Sequence, residues 1–319
     1  MSDAPGRALV VPTSLTWRGD DPIVTFGEAP REALALPFWA QTVAAARPVG
    51  IASLDSLAPK ADQARIAGFI FHMTRCGSTL AARQFSALPR TYAVSEPFAF
   101  QHLLERPDTD ADRRARRLRT LLGAHAEALS PAADVLVIKW SSLMGLYAAE
   151  IERALPATPG VFLHRAPAEV LASIAAAPLG GRRHLRPEHL GRHRPADLAA
   201  CPPLELSARA IANICDQVAL AASIRSVSYV DLPQASWQAL APAFGICVGD
   251  AERAAMARAA EPHAKDPTRT GRFAGDAWRD VELHDPEVRR LAETLVGPSL
   301  AACLRRLRPF ELGAGRQLV

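Results

Sequence analysis

The five cysteines, Cys76, Cys201, Cys215, Cys247 and Cys303, include no C-x-x-C pair. That absence excludes a disulfide scaffold and a structural zinc site, and no metal is expected. No stretch approaches the roughly 20 apolar residues that a membrane-crossing helix requires. The start, Met1-Ser2-Asp3-Ala4-Pro5, lacks the charged segment and apolar run of a secretory signal. The expectation is a cytoplasmic protein without a transmembrane segment. The G-x-x-x-x-G-K-[ST] pattern of nucleotide triphosphatases is also missing, and there is no internal repeat. A net charge of +4 over 319 residues is too modest to coat nucleic acid, so no nucleic-acid partner is expected.

What is present is a chain 49% hydrophobic, long enough for one large α/β core or two small domains. Residues 1–62 are rich in Pro and Ala, and Phe38 to Val43 has the look of part of a short amphipathic helix. We read them as an N-terminal extension packing on a main unit of residues 63–319. Ile66 to Phe71 is a continuous apolar run of the kind a strand buried on both faces needs. Comparable runs recur at Thr91 to Val94, Val135 to Ile138, Val161 to Leu163 and Val227 to Val230, with helical stretches between them. This alternation predicts an α/β fold of three layers around a central parallel sheet with right-handed crossovers. Ligands of such sheets sit beyond the carboxyl ends of the strands. Arg75, Glu96, Lys139 and Arg165 each follow one of the first four runs.

The segment His72-Met73-Thr74-Arg75-Cys76-Gly77-Ser78-Thr79 leads from the first of these strands into a helix. A helix start exposes backbone N–H groups and a positive dipole end to an anion. Arg75 adds a charged fork, Gly77 permits close approach of the backbone, and the Ser78 and Thr79 hydroxyls can donate to phosphate oxygens. The competing view is an ordinary helix whose Ser78 caps its own first turn. A kinase with a degenerate loop is a third, weakened by the missing lysine.

A second segment, Val161-Phe162-Leu163-His164-Arg165-Ala166-Pro167-Ala168-Glu169-Val170-Leu171-Ala172-Ser173, combines a strand, an Arg at its end, a Pro suited to a first helical turn and a Ser eight residues past the Arg. It resembles the 3′-phosphate site of the sulfotransferase family, and the first loop resembles that family's 5′-phosphosulfate loop. A third segment, Tyr229-Val230-Asp231-Leu232-Pro233, is similar to a Tyr-Glu-Asp-Leu stretch of many sulfotransferases in which the Tyr lies near the adenine. The resemblance spans about residues 66 to 233 and implies a P-loop nucleotide-hydrolase-like sulfotransferase architecture. It also implies 3′-phosphoadenosine 5′-phosphosulfate as donor and 3′,5′-adenosine bisphosphate as product. Donor-binding positions would be Arg75, Cys76, Gly77, Ser78, Thr79, Arg165, Ser173 and Tyr229. Cys76 stands where the family more commonly has Ser, and Thr270 to Gly275, with Arg272, is only a loose stand-in for its Gly-rich C-terminal segment.

An acceptor hydroxyl needs a general base. Glu96, in Ser95-Glu96-Pro97, resembles a Glu-Pro segment of carbohydrate-type sulfotransferases; its other role would be to cap a helix opened by Pro97. Lys139, in Ile138-Lys139-Trp140-Ser141, resembles the lysine that precedes a catalytic His in cytosolic sulfotransferases, with Ser141 at the His position. Lys139 would contact the transferring sulfonyl group or snorkel to the surface. Catalytic candidates are therefore Glu96, Lys139 and Arg75. His72, directly after a buried strand, reads as a structural His. The arginines from Arg113 to Arg119 read as a solvated helix. Gly180 to Arg194 is either a lid over an anionic site or a basic surface loop. A small-molecule, saccharide or peptide acceptor fits these features. A regulator that binds nucleotide without catalysis is the non-enzymatic alternative.

Overall fold

The computed structural model describes residues 8–30, 32–33, 36, 38–57, 66–106, 108, 110–127, 135–176, 190, 193, 201–261 and 283–310. Strands β1 (Leu9–Arg18), β2 (Asp21–Ala29) and β3 (Arg47–Ser53) form an antiparallel sheet in the order β1-β2-β3, and α1 (Trp39–Ala45) lies between the last two in the chain. The sequence led us to expect the helix but not the sheet. Pro12 explains part of the difference, because it stands where the β1 register shifts and interrupts the two-residue alternation that announces a strand.

The main sheet contains β4 (Ile66–His72), β5 (Thr91–Ser95), β6 (Val135–Lys139), β7 (Gly160–His164), β8 (Arg225–Ser228) and β9 (Arg308–Pro309). All neighbours are parallel, in the order β5-β6-β4-β7-β8-β9. Helix α2 (Ser78–Ser86) joins β4 to β5, α3 (Phe98–Glu105) and α4 (Ala111–Glu127) lead towards β6, and α5 (Ala148–Ala154) precedes β7. Helices α6 (Pro167–Ala175) and α7 (Pro203–Val218) come between β7 and β8. The chain moves one way along the sheet from β4 to β5 and the other way from β7 to β8. Right-handed crossovers therefore place α2 and the α6/α7 pair on opposite faces. The result is a three-layer α/β fold, and the apolar runs explain it: Phe69, Ile70 and Phe71 on β4 are at most 2% exposed, as a central strand covered on both sides requires.

One strand end and one added strand differ from expectation. The fifth expected strand ends at Ser228, and Tyr229–Asp231 forms a 3₁₀ turn that leaves Val230 81% exposed. Apolar β-branched character at Val230 had marked it as strand. The short β9 adds a sixth strand through Phe310 N–H, which donates to Ser226 O at 3.2 Å.

The arginines of α4 are only in part a solvated face: Arg116 is exposed, whereas others find partners in the fold. Arg117 is buried and ion-paired with Asp55 at 2.5 Å, and it also donates to Asp20 O at 3.0 Å. Arg113 pairs with Asp108, whose carboxyl its hydrogen bond holds down at about 2, and Arg114 pairs with Glu150 at 3.0 Å. The Trp17 ring lies under Arg106 and Arg117 at 4.3 and 5.5 Å from the ring centre. Helical spacing alone distributes these charges around the cylinder, but turns of the N-terminal segment supply Arg117 with partners 62 and 97 positions away. A chain of ring contacts reinforces this join: Trp39 to His125 at 5.1 Å, His125 to Phe100 at 5.2 Å and Phe100 to Trp140 at 5.1 Å. Among the described residues no helix is long and apolar enough to cross a membrane.

Candidate functional site

The carboxyl ends of β4, β5, β6 and β7 lie along one edge, with Ser95 opposite Lys139 and His72 opposite Leu163. β4 stands at the switch in strand order, and its loop, Met73 to Gly77, is shaped by unusual backbone. Thr74, Arg75 and Gly77 have φ of 75°, 51° and 80°. Left-handed conformations in a short turn gather successive N–H groups on a concave side, and non-glycine residues hold them only when the surroundings enforce it. His72 is part of the enforcement. Its Nδ1 accepts from Thr74 N–H at 3.1 Å, which leaves Nε2–H to donate to Trp140 O at 2.9 Å. Both ring nitrogens are thus tied to backbone groups of the edge.

Gly77 is the N-cap of α2, so Ser78 is the first helical residue and does not cap the helix. A glycine offers no side-chain acceptor, so no side chain caps the start of α2, whose positive end favours an anion. Ser78 and Thr79 are both buried beside this turn. Cys76 points the other way: its Sγ donates to Leu163 O at 3.1 Å, and burial pushes the thiol up to about 12. Only its backbone amide can serve a ligand. A Cβ on Gly77 would come within 2.8 Å of Leu232 Cδ1 and Tyr229 Cδ2. Gly77→Ala combines that clash with a φ of 80° and is expected to destabilise the protein by about 1–3 kcal/mol, read from its urea midpoint.

Helix α6 begins at Pro167, in the first-turn position the sequence indicated, and buries Ser173. Ser173 Oγ accepts from Arg75 Nε at 2.7 Å, so two segments 98 residues apart meet in one hydrogen bond. Arg165 completes the cluster. Its Nη1 donates to Arg75 O at 3.2 Å, its guanidinium lies 4.2 Å from the Tyr229 ring centre, and its Nε donates to the Glu169 carboxylate. Arg75, Gly77, Arg165, Ser173 and Tyr229 are thus one constellation on the β4, β7 and β8 side of the edge.

Glu96 and Lys139 form a second group on the β5 and β6 side. Glu96 has φ 58°, and its N–H donates to Lys139 O at 2.7 Å. Pro97 is the N-cap of α3, and the Glu96 carboxylate is not used in capping but pairs with Lys139 Nζ. Lys139 is 1% exposed, which excludes a snorkelling surface lysine, and its ammonium lies 5.5 Å from the Phe38 ring centre. Ser141, at the position where a histidine would stand, has its Oγ 3.5 Å from Gln101 Oε1.

Sequence reasoning missed Glu169 and Phe38. The four-residue step from Arg165 to Glu169 was a visible helical signal; nothing local marks Phe38. Thr270 to Gly275 lies outside the described residues, as does Gly180 to Arg194 apart from Leu190 and His193. Among the described residues no group of His, Cys, Asp and Glu could hold a metal.

No protein-family model and no curated protein matches the chain. Among solved structures, it is similar to a sulfotransferase domain from the curacin biosynthetic pathway, with a TM-score of 0.45 and 16% identity over 72% of this chain and 98% of that one. It is also similar to a sulfotransferase from Alicyclobacillus acidocaldarius, with a TM-score of 0.40 and 13% identity over 75% of this chain and 94% of that one.

Proposed function

We propose that the chain is a sulfotransferase that takes a sulfuryl group from 3′-phosphoadenosine 5′-phosphosulfate and places it on a hydroxyl or amine of a small-molecule, saccharide or peptide acceptor. The observation that carries this is the Arg75–Ser173 hydrogen bond, which brings the loop after β4 and the helix after β7 into one cationic cradle. The residues fit such a donor: two arginines, an uncapped helix start and an aromatic ring converge there. When bound, the donor supplies a sulfuryl group on an activated phosphate.

In this proposal the loop amides, Arg75, Ser78 and Thr79 bind the phosphosulfate end and disperse charge on the departing phosphate. Arg165 receives the 3′-phosphate, Ser173 orients Arg75, and Tyr229 packs beside the adenine. Glu96 takes the acceptor's proton, and Lys139 faces the sulfonyl oxygens. Residues 63–319 would hold this machinery, with residues 1–62 as the extension that packs on it.

The test is calorimetric. The wild type is expected to bind 3′,5′-adenosine bisphosphate in preference to AMP. Arg165→Ala is expected to lower bisphosphate affinity by about 10- to 100-fold, the value of a lost charge-assisted contact, and to erase the preference. Equal affinity of the wild type for the two nucleotides would sink the proposal.

A further inference from the structure

Arg165 is a buried cation, and a buried charge needs a counter-ion within the fold. Glu169 supplies it at Nε. Ala166 is the N-cap of α6 and Pro167 its first residue, so Glu169 stands in the first turn, where the helix dipole itself favours an anion. Two other contacts fix the guanidinium: Nη1 is bonded to Arg75 O, and the Tyr229 ring covers a face. Both belong to the frame of the cradle. Glu169, by contrast, carries its carboxylate on a flexible side chain that is 32% exposed and borders solvent.

We propose that Glu169 is an internal stand-in for a ligand phosphate. It neutralises Arg165 when the cradle is empty, swings away when a phosphate dianion arrives, and returns as that phosphate leaves. This inference rests on the donor assignment above, in which Arg165 receives the 3′-phosphate. Its consequence is a limit on how tightly the bisphosphorylated nucleotide is held, since every binding event breaks an existing ion pair before making a new one. A nucleotide with a ribose 3′-hydroxyl has no charge to exchange and leaves the pair intact. Glu169 thereby assists release of the spent bisphosphate.

The experiment titrates 3′,5′-adenosine bisphosphate and AMP into wild type, Glu169→Gln and Glu169→Ala, with bisphosphate dissociation followed by stopped flow. Both variants are expected to bind bisphosphate about tenfold more tightly, equivalent to about 1.4 kcal/mol, with correspondingly slower dissociation and unchanged AMP affinity. Their unliganded melting temperatures are expected to fall and to recover with bisphosphate, because the Arg165–Glu169 ion pair is lost. Bisphosphate binding that is unchanged or weaker in the variants overturns the stand-in role, as does an equal gain for AMP. A wild type that prefers bisphosphate while the variants gain nothing overturns this role alone. Indifference to the 3′-phosphate in all three proteins overturns the donor assignment and the stand-in role together.

Discussion

Glu96→Gln is expected to slow sulfuryl transfer by about 10²- to 10⁴-fold, the usual contribution of a positioned general base, while bisphosphate binding is unchanged. The geometry gives this prediction its sharpness. Glu96 sits on the β5 and β6 side of β4, away from the arginine cluster, so removing its charge does not touch the residues assigned to the nucleotide. The amide of Gln retains an oxygen that can accept from Lys139 Nζ, which keeps the buried ammonium hydrogen-bonded. What it loses is the ability to take a proton and the charge opposite buried Lys139, so a lower melting temperature is expected beside the slower transfer. Its left-handed backbone, φ 58°, shows that the fold tolerates local strain to hold the carboxylate over the end of β6. Single-turnover transfer of labelled sulfate, run beside calorimetry, separates the outcomes. Undiminished transfer removes Glu96 from catalysis, and loss of transfer together with nucleotide binding makes it a structural member of the edge.

The second large effect concerns stability in mild acid. His125 is fully enclosed between the Trp39 and Phe100 rings, and its Nε2 has no hydrogen-bond partner among the described residues. Burial holds its imidazole down at about 3 from an ordinary value of 6.5. Between those values the unfolded chain takes up a proton that the folded chain refuses. Stability due to this group is therefore intact above pH 6.5 and falls by about 1.4 kcal/mol for each unit of pH below it. His164 is shifted in the same direction by burial and adds to the slope. His125→Phe keeps an aromatic ring in the stack and removes the titration. Urea unfolding at pH 7.5, 6 and 5 should show the variant losing about 2 kcal/mol less than wild type over that range. Parallel losses in the two proteins would mean that His125 takes up its proton alike in the folded and unfolded states.

The main sheet was legible because its strands are covered on both faces and so appear as unbroken apolar runs, Ile66 to Phe71 above all. The N-terminal sheet was not, since its strands mix exposed and buried positions and β1 is broken at Pro12. At the site, the sequence placed each candidate on an element, and strand order then decided which could meet. The sequence placed Ser173 and Arg165 near one another, but the Arg75–Ser173 hydrogen bond is a contact no local spacing could reveal. The pairing of Arg117 was hidden for the same reason, because its partners Asp20 and Asp55 lie in turns at the ends of strands that were not foreseen. Backbone strain at Thr74, Arg75 and Glu96 left no trace in residue type, as none is glycine.

The strand order β5-β6-β4-β7-β8 has a consequence for how such a protein could diversify. Arg165, Ser173 and Tyr229 hang from one side of the central strand; Glu96, Lys139 and the N-terminal Phe38 hang from the other. With β4 as a shared hinge post, the second half is a replaceable cassette. Under the proposed assignment, swapping the segment that carries Phe38, or the α3 and α4 wall behind Glu96, would alter the acceptor without re-engineering nucleotide recognition. A lineage could explore new acceptors in that half while the other stays constant.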